Sequence, residues 1–214
     1  MRFGVILSAG CSERFKSPKI LSEVEGKPML QWVIDLLKRL PLNGRILVVN
    51  PYWESFSKFF NTQGFEILIN EDFREGIASS VRKAVEFSKE RGAKQVVIFL
   101  GDMPFLREET VYKIMYFETD RPIIAPLYKG IKGFPTIVKS EVFDEVLKLK
   151  GDIGIRKLIR ERPDLVQFVE VDDPSVVKDI DEPVNIKRGP FKGASPGGGG
   201  GIRTHESWFC KPVP

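Results

Sequence analysis

Two short stretches carry most of the chemistry legible in this chain. The first is Gly101-Asp102-Met103-Pro104, which follows directly on the apolar run KQVVIFL. A carboxylate one residue past a buried parallel strand points at the strand-end rim where ligands of open α/β sheets sit. The second is LSAGCSERFKSPK, where strand-forming residues from Phe3 to Leu7 stop abruptly at Ser8-Ala9-Gly10. Small residues let backbone amides approach a ligand closely, and the amides of a turning loop form an anion-binding concavity. Arg14, Lys16 and Lys19 stud this loop, and Arg14 and Lys19 are spaced to wrap around a polyphosphate. The loop is neither a Walker P-loop nor a GxGxxG. Each stretch has a plainer reading, the first as a turn or helix cap and the second as a solvated surface loop. Together they read as an anion loop beside a ligand for Mg²⁺, a hard cation that takes one or two carboxylates plus substrate phosphates. The expected occupant is a nucleoside triphosphate.

Other tools are scarce. The only histidine, His205, lies in a Gly/Pro-rich C-terminal stretch, GPFKGASPGGGGGIRTHESWFCKPVP. A domain without histidine has no Ser-His-Asp or Cys-His arrangement, and zinc is not expected. Cys11 and Cys210 offer no disulfide framework and no metal-ligand spacing, so a reducing cytoplasm is the default location. No apolar stretch approaches the roughly 20 residues that span a bilayer, and the N-terminus lacks a signal-peptide core. Of the net charge of +4, residues from Arg188 onward carry +3 (Arg188, Lys192, Arg203 and Lys211 against Glu206). Residues 1–187 are therefore nearly neutral, which argues against a nucleic-acid partner.

The elements that must position these residues follow from periodicity. Strands are expected at Arg2–Leu7, Arg45–Asn50, Phe65–Ile69, Gln95–Leu100, Pro122–Pro126, Phe134–Val138 and Val166–Val171. Helices are expected at Pro28–Leu40, Tyr52–Asn61, Ile77–Arg91, Glu108–Phe117, Glu141–Leu149 and Ile155–Arg162. In the third of these, Val81, Ala84, Val85 and Ser88 share one face. Alternation of apolar strands with helices predicts a mostly parallel sheet covered on both faces. The expected organisation is one α/β domain over residues 1–187 and a disordered tail over 188–214.

Around the two main stretches, Asn70 ends a strand, and Gly76-Ile77-Ala78-Ser79-Ser80 opens a helix. Such a helix N-terminus favours a phosphate or a hydrogen bond to a base, with capping as the plainer role for the serines. Gly151-Asp152-Ile153-Gly154-Ile155-Arg156 joins two helices and by itself reads as a turn. In KDIDEP, Asp179 suits a second metal ligand at the rim and Asp181 a helix cap before Glu182-Pro183.

The ordered set L-S-A-G-x-S-x-R-F-x-x-x-K, G-K-P-M-L, G-I-A-S-S-V, G-D-M-P-F and D-I-D-E-P resembles the molybdopterin nucleotidylyltransferase family, the cytidylyltransferase branch above all. The likeness runs from about Arg2 to Ile186. It implies a Rossmann-like nucleotidyltransferase fold and transfer of a nucleoside monophosphate from an NTP to the phosphate of molybdopterin or molybdenum cofactor. It further implies that Leu7, Ser8, Ala9 and Gly10 contact base and sugar, that Lys19 meets the triphosphate, and that Asp102 binds magnesium. Asn70, Ser79 and Ser80 would line the nucleotide side, and Gly133, Pro135, Asp152 and Arg156 the pterin side. A molybdo- or tungsto-enzyme would receive the product. Two departures stand out: Lys16 where the family has glycine, and Lys132-Gly133-Phe134-Pro135 where it has R-G-H-P.

The acceptor phosphate is already a nucleophile at neutral pH, so no general base is needed. Catalysis then amounts to positioning and charge neutralisation, with Arg14, Lys19 and Asp102 as the catalytic set. A guanylyl-transferring enzyme, a sugar- or polyol-phosphate nucleotidylyltransferase and a non-catalytic nucleotide sensor are the competing readings.

Overall fold

The computed structural model describes residues 1–10, 19–152 and 154–180. Arg14, Lys16, Asp181 and the expected tail over 188–214 lie outside the described residues.

In chain order the elements are β1 (Arg2–Ser8), β2 (Glu23–Val24), β3 (Lys27–Pro28), α1 (Met29–Arg39), β4 (Gly44–Val49), β5 (Glu66–Ile69), α2 (Ile77–Glu90), β6 (Gln95–Leu100) and α3 (Glu108–Met115). They continue with β7 (Ile123–Tyr128), β8 (Ile131–Lys132), β9 (Thr136–Lys139), α4 (Phe143–Val146), α5 (Ile155–Glu161) and β10 (Val166–Glu170). One sheet runs β10-β7-β9-β6-β1-β4-β5, with β8 paired to β7; β2 and β3 form a separate small hairpin.

Strands β6, β1, β4 and β5 are mutually parallel. The interior residues of β6, β1 and β4 are almost all buried, as a sheet covered on both faces requires, while those of the edge strand β5 are half-buried. The chain leaves β1 toward β4 on one side and later returns to β6 on the other. The order therefore reverses between β1 and β6, and their carboxyl ends flank the crevice where such sheets bind ligands. On the far side, β9 runs antiparallel to both β6 and β7. Only seven residues separate Tyr128 from Thr136, too few for the crossover helix that a parallel return would need.

Helix α1 forms because Leu30, Val33, Ile34, Leu36 and Leu37 make one apolar stripe buried in the core with the sheet, while Met29 packs with Val24 and Ile180. Each such side chain contributes about 1.5–3 kcal/mol on burial. Arg45 closes the far end by donating to the carbonyls of Leu37, Lys38 and Leu40, oxygens that a helix terminus leaves unpaired. In α2 the expected face of Val81, Ala84, Val85 and Ser88 is the buried one.

Two expected helices are corrected. Residues 52–61 form two 3₁₀ turns, Trp53–Ser55 and Ser57–Phe59, instead of a helix. Aromatic and serine residues there favour helix weakly, and Trp53 stacks on Phe60 at 5.4 Å while meeting Phe56 edge-on. Residues 141–149 give a 3₁₀ turn, Ser140–Val142, and the single turn of α4. Burial of Val142, Phe143 and Val146 satisfies the apolar pattern without a longer helix. Among the described residues, no helix is long and apolar enough to cross a membrane.

Candidate active site

The ends of β1 and β6 are locked together. Gly101 donates its amide hydrogen to the Leu7 carbonyl at 3.0 Å. A Cβ on Gly101 would come within 2.9 Å of Ser8 Oγ, so only glycine lets the two strand ends close this tightly. Leu7 and Ala9 are buried, with Ala9 packed in the main core, whereas Gly10 is exposed, and a Cβ on it would meet nothing within 4 Å among the described residues. Leu7 to Gly10 thus reach the crevice through backbone and the Ser8 hydroxyl, not through the Leu7 or Ala9 side chains.

Asp102 follows at once. Its Oδ2 accepts a hydrogen bond from Lys19 Nζ at 2.8 Å, a half-buried ion pair joining the two principal sequence-predicted residues. Its Oδ1 is buried without a hydrogen-bond partner among the described residues, and so is Ser8 Oγ. Two such oxygens beside one crevice are what a bound cation or ligand would satisfy, because an unmet buried acceptor is otherwise unfavourable. Asp179 is exposed and immediately precedes Ile180, whose amide donates to the Asp102 carbonyl at 3.2 Å. The backbone thus brings the second candidate carboxylate to the same rim. No group of three or more His, Cys, Asp or Glu suited to a metal occurs among the described residues. The donor set of one or two carboxylates fits Mg²⁺, which takes its remaining oxygens from water and substrate phosphate.

Asn70 joins the same rim two strands from β1, its amide bonded to the Val49 carbonyl at 2.7 Å. Its side-chain amide donates to Ser79 Oγ and Ser80 Oγ, both at 2.9 Å, and its Oδ1 accepts from the Asp72 amide. Asn70, Ser79 and Ser80 are all buried, and both amide hydrogens of Asn70 are used internally. Ser79 also donates to the Gly76 carbonyl at 2.8 Å. The expected trio is therefore assembled, but as an interlocked support under the rim.

The start of α2 is held by the chain itself. Ala78 donates to the Gly151 carbonyl at 3.1 Å, and the Asp152 carboxylate lies against Gly76. Gly76 has φ 95°, and a side chain there would overlap Asp152. Asp152 thus packs against the start of α2, a positive helix end.

Gly133 donates to the Pro126 carbonyl, and a Cβ on it would overlap the Val176 carbonyl. That carbonyl accepts from the Phe134 amide at 2.8 Å, which leaves Pro135 leading into β9. Gly133 is thus fixed by packing. Arg156, exposed on α5, lies close enough to Lys132 to oppose its protonation.

Two residues escaped the sequence reading. Lys132 was seen only as a motif departure. Asp173 is buried, accepting from Thr110 Oγ1 and from the Ser175 amide, with Arg107 at 3.9 Å. Burial alone would raise its pKa, but the bonds from Thr110 and Ser175 hold it below the usual carboxylate value. It anchors the segment that carries Asp179 and Ile180. The D-P-S spelling signals an N-capping turn, and nothing in it signals the bond to Thr110.

Residues 4–166 match the family model for a MobA-like NTP transferase domain. Among relatives, the bifunctional protein GlmU of Aquifex aeolicus is 30% identical over 162 residues, 68% of this chain and 34% of that protein. The chain thus spans about a third of the length of that relative. The molybdenum cofactor cytidylyltransferase of Escherichia coli is 26% identical over 181 residues, 84% of this chain and 90% of that enzyme. The crystal structure of Rv0371c from Mycobacterium tuberculosis superposes with a TM-score of 0.75 at 26% identity, covering 85% and 93% of the two chains. Its manganese complex gives 0.70 over 80% and 88%, also at 26% identity.

Proposed function

The chain belongs to the family of MobA-like NTP transferase domains, and from that membership we propose that it transfers CMP from CTP to the phosphate of a molybdopterin-type acceptor. The observation that carries this reading is the Lys19–Asp102 pair at the strand-order reversal, with Asp102 Oδ1 left buried and unmatched. The acceptor class and CTP are supported by the sequence likeness and by the cytidylyltransferase relative that this chain covers over 90% of its length. Ala9, whose methyl packs into the core, would influence base preference only through the position of the loop backbone.

In the proposed reaction an acceptor phosphate oxygen attacks the α-phosphorus of the NTP. The bond from the α-phosphorus to the bridging oxygen breaks, and that oxygen leaves with pyrophosphate. Leu7 to Gly10 present backbone amides to the nucleotide. Asp102 holds Lys19 at the crevice, where its ammonium neutralises charge developing on the leaving pyrophosphate, with Arg14 as the second cation. A Mg²⁺ held by Asp102 and Asp179 would supply further charge neutralisation, and that the similar Rv0371c has been crystallised with manganese supports a divalent cation. Asn70, Ser79 and Ser80 keep the floor of the nucleotide side rigid. Solvent water needs no activation here, because the nucleophile is a phosphate.

The test is label transfer from [α-³²P]CTP to metal-loaded molybdopterin. Label appearing on the acceptor, faster with CTP than with GTP, supports the reading. Label that stays on CTP, or moves only to a sugar phosphate, refutes it.

A further inference from the structure

Lys132 stands at the start of K-G-F-P, on the same rim as Asp102. β7 is parallel to β10 and antiparallel to β9, which is itself antiparallel to β6, so the carboxyl ends of β6 and β7 point the same way. The chain leaves β7 through Lys129 and Gly130, both with positive φ, and turns back so that Lys132 pairs with Leu127. It then enters β9, whose first residue, Thr136, is opposite Ile98 of β6. Neighbouring strands lie about 4.8 Å apart. The turn from Lys132 to Pro135 therefore runs beside the end of β6, from which Asp102 projects.

The Lys132 ammonium is buried with no hydrogen-bond partner among the described residues. It sits 3.8 Å from the centroid of the Phe134 ring, a contact that favours a cation but provides no hydrogen-bond acceptor. The charged group beside it is another cation, Arg156. Burial, reinforced by Arg156, pushes the Lys132 pKa down to about 7. An unpaired buried ammonium is unfavourable, so the amine sheds its proton near neutral pH, whereas an anion seated beside it would hold it charged. The four-carbon stem lets Nζ swing from the ring to such an anion without moving the backbone.

We propose that Lys132, together with Arg156, binds the phosphate monoester of the acceptor and sets it beside the nucleotide held at Asp102. The assignment rests on the nucleotidyl-transfer reading and adds an acceptor-side residue to it. A compact lysine charge replaces the arginine fork of the related motif, which suits a single phosphate oxygen more than bidentate recognition.

The experiment is calorimetric titration of the full chain with inorganic phosphate, with and without saturating CTP and Mg²⁺. With nucleotide filling the triphosphate site, phosphate has only the acceptor site left. Saturable uptake is expected for wild type, weakened on the order of tenfold or more in Lys132→Met and largely kept in Lys132→Arg. CTP binding should be equal in all three, and Lys132→Met should melt no lower than wild type, because it removes a buried charge. Phosphate affinity within about twofold of wild type in Lys132→Met overturns the assignment. So does wild-type protein that binds CTP but takes up no phosphate. A wild type that binds no nucleotide at all instead removes the transfer reading on which the assignment rests.

Discussion

Lys19 and Asp102, separated by 83 residues in sequence, meet at 2.8 Å between the ends of β1 and β6. The pair fills one carboxylate oxygen and leaves the other buried and unmatched among the described residues. An ion pair built only for stability would satisfy both oxygens, since half-met buried charge is unfavourable.

The two residues should behave as one catalytic unit. Lys19→Met and Asp102→Asn are each expected to slow transfer on the order of 10²–10³-fold. The double variant should be little slower than either single one, because a unit already broken loses little more. A cycle of four steady-state rates measures this. Strictly multiplicative losses would show that the residues act independently.

Gly76 should tolerate no side chain. Its φ of 95° and the Asp152 carboxylate against it make Gly76→Ala strained twice over, by conformation and by overlap. A loss of about 1–3 kcal/mol in urea unfolding is expected. A neutral substitution would mean that Asp152 does not pack against the start of α2.

Asp173 gives the fold an acid-sensitive clasp. Its folded-state pKa lies below the ordinary 3.8, so its contribution is complete above that value and fades as pH falls through the depressed one. Asp173→Asn should be less stable than wild type by about 1–3 kcal/mol at pH 7. The gap should narrow below pH 3.8. Denaturation midpoints across pH check both, and a gap that does not depend on pH would assign the loss to packing alone.

Lys132 predicts a rise of the same sign in a separate, alkaline window. Its folded-state pKa of about 7 lies below the ordinary 10.5, so between those values the unfolded chain binds more protons. Wild-type stability should therefore rise relative to Lys132→Met as pH climbs through that window. Parallel stability curves for the two proteins would show that the ammonium is not buried in solution.

Much of this was legible in the sequence, for identifiable reasons. The long parallel strands are continuously apolar and the main helices have a clear stripe, so their positions follow from periodicity. Asp102 and Lys19 were legible because each sits at a strand end or in a small-residue loop where function usually lies. The antiparallel course of β9 was not, because direction follows from loop length and pairing and leaves no residue pattern of its own. The two 3₁₀ turns at residues 53–59 imitate helical spacing, and aromatic stacking decided between the two. Lys132 and Asp173 escaped because their meaning depends on distant partners: the Phe134 ring and Arg156 for one, Thr110 for the other. The burial of Ala9, which moves base preference from side chain to backbone, was likewise a property of packing.

The most direct measurement of the central claim is pyrophosphate release from CTP and Mg²⁺, with and without metal-loaded molybdopterin, for wild type and Asp102→Asn. Release that requires acceptor and divalent cation, and falls on the order of 10²-fold or more in Asp102→Asn at unchanged melting temperature, is the predicted result. Absence of pyrophosphate with every NTP, or turnover in Asp102→Asn within about tenfold of wild type, would contradict it.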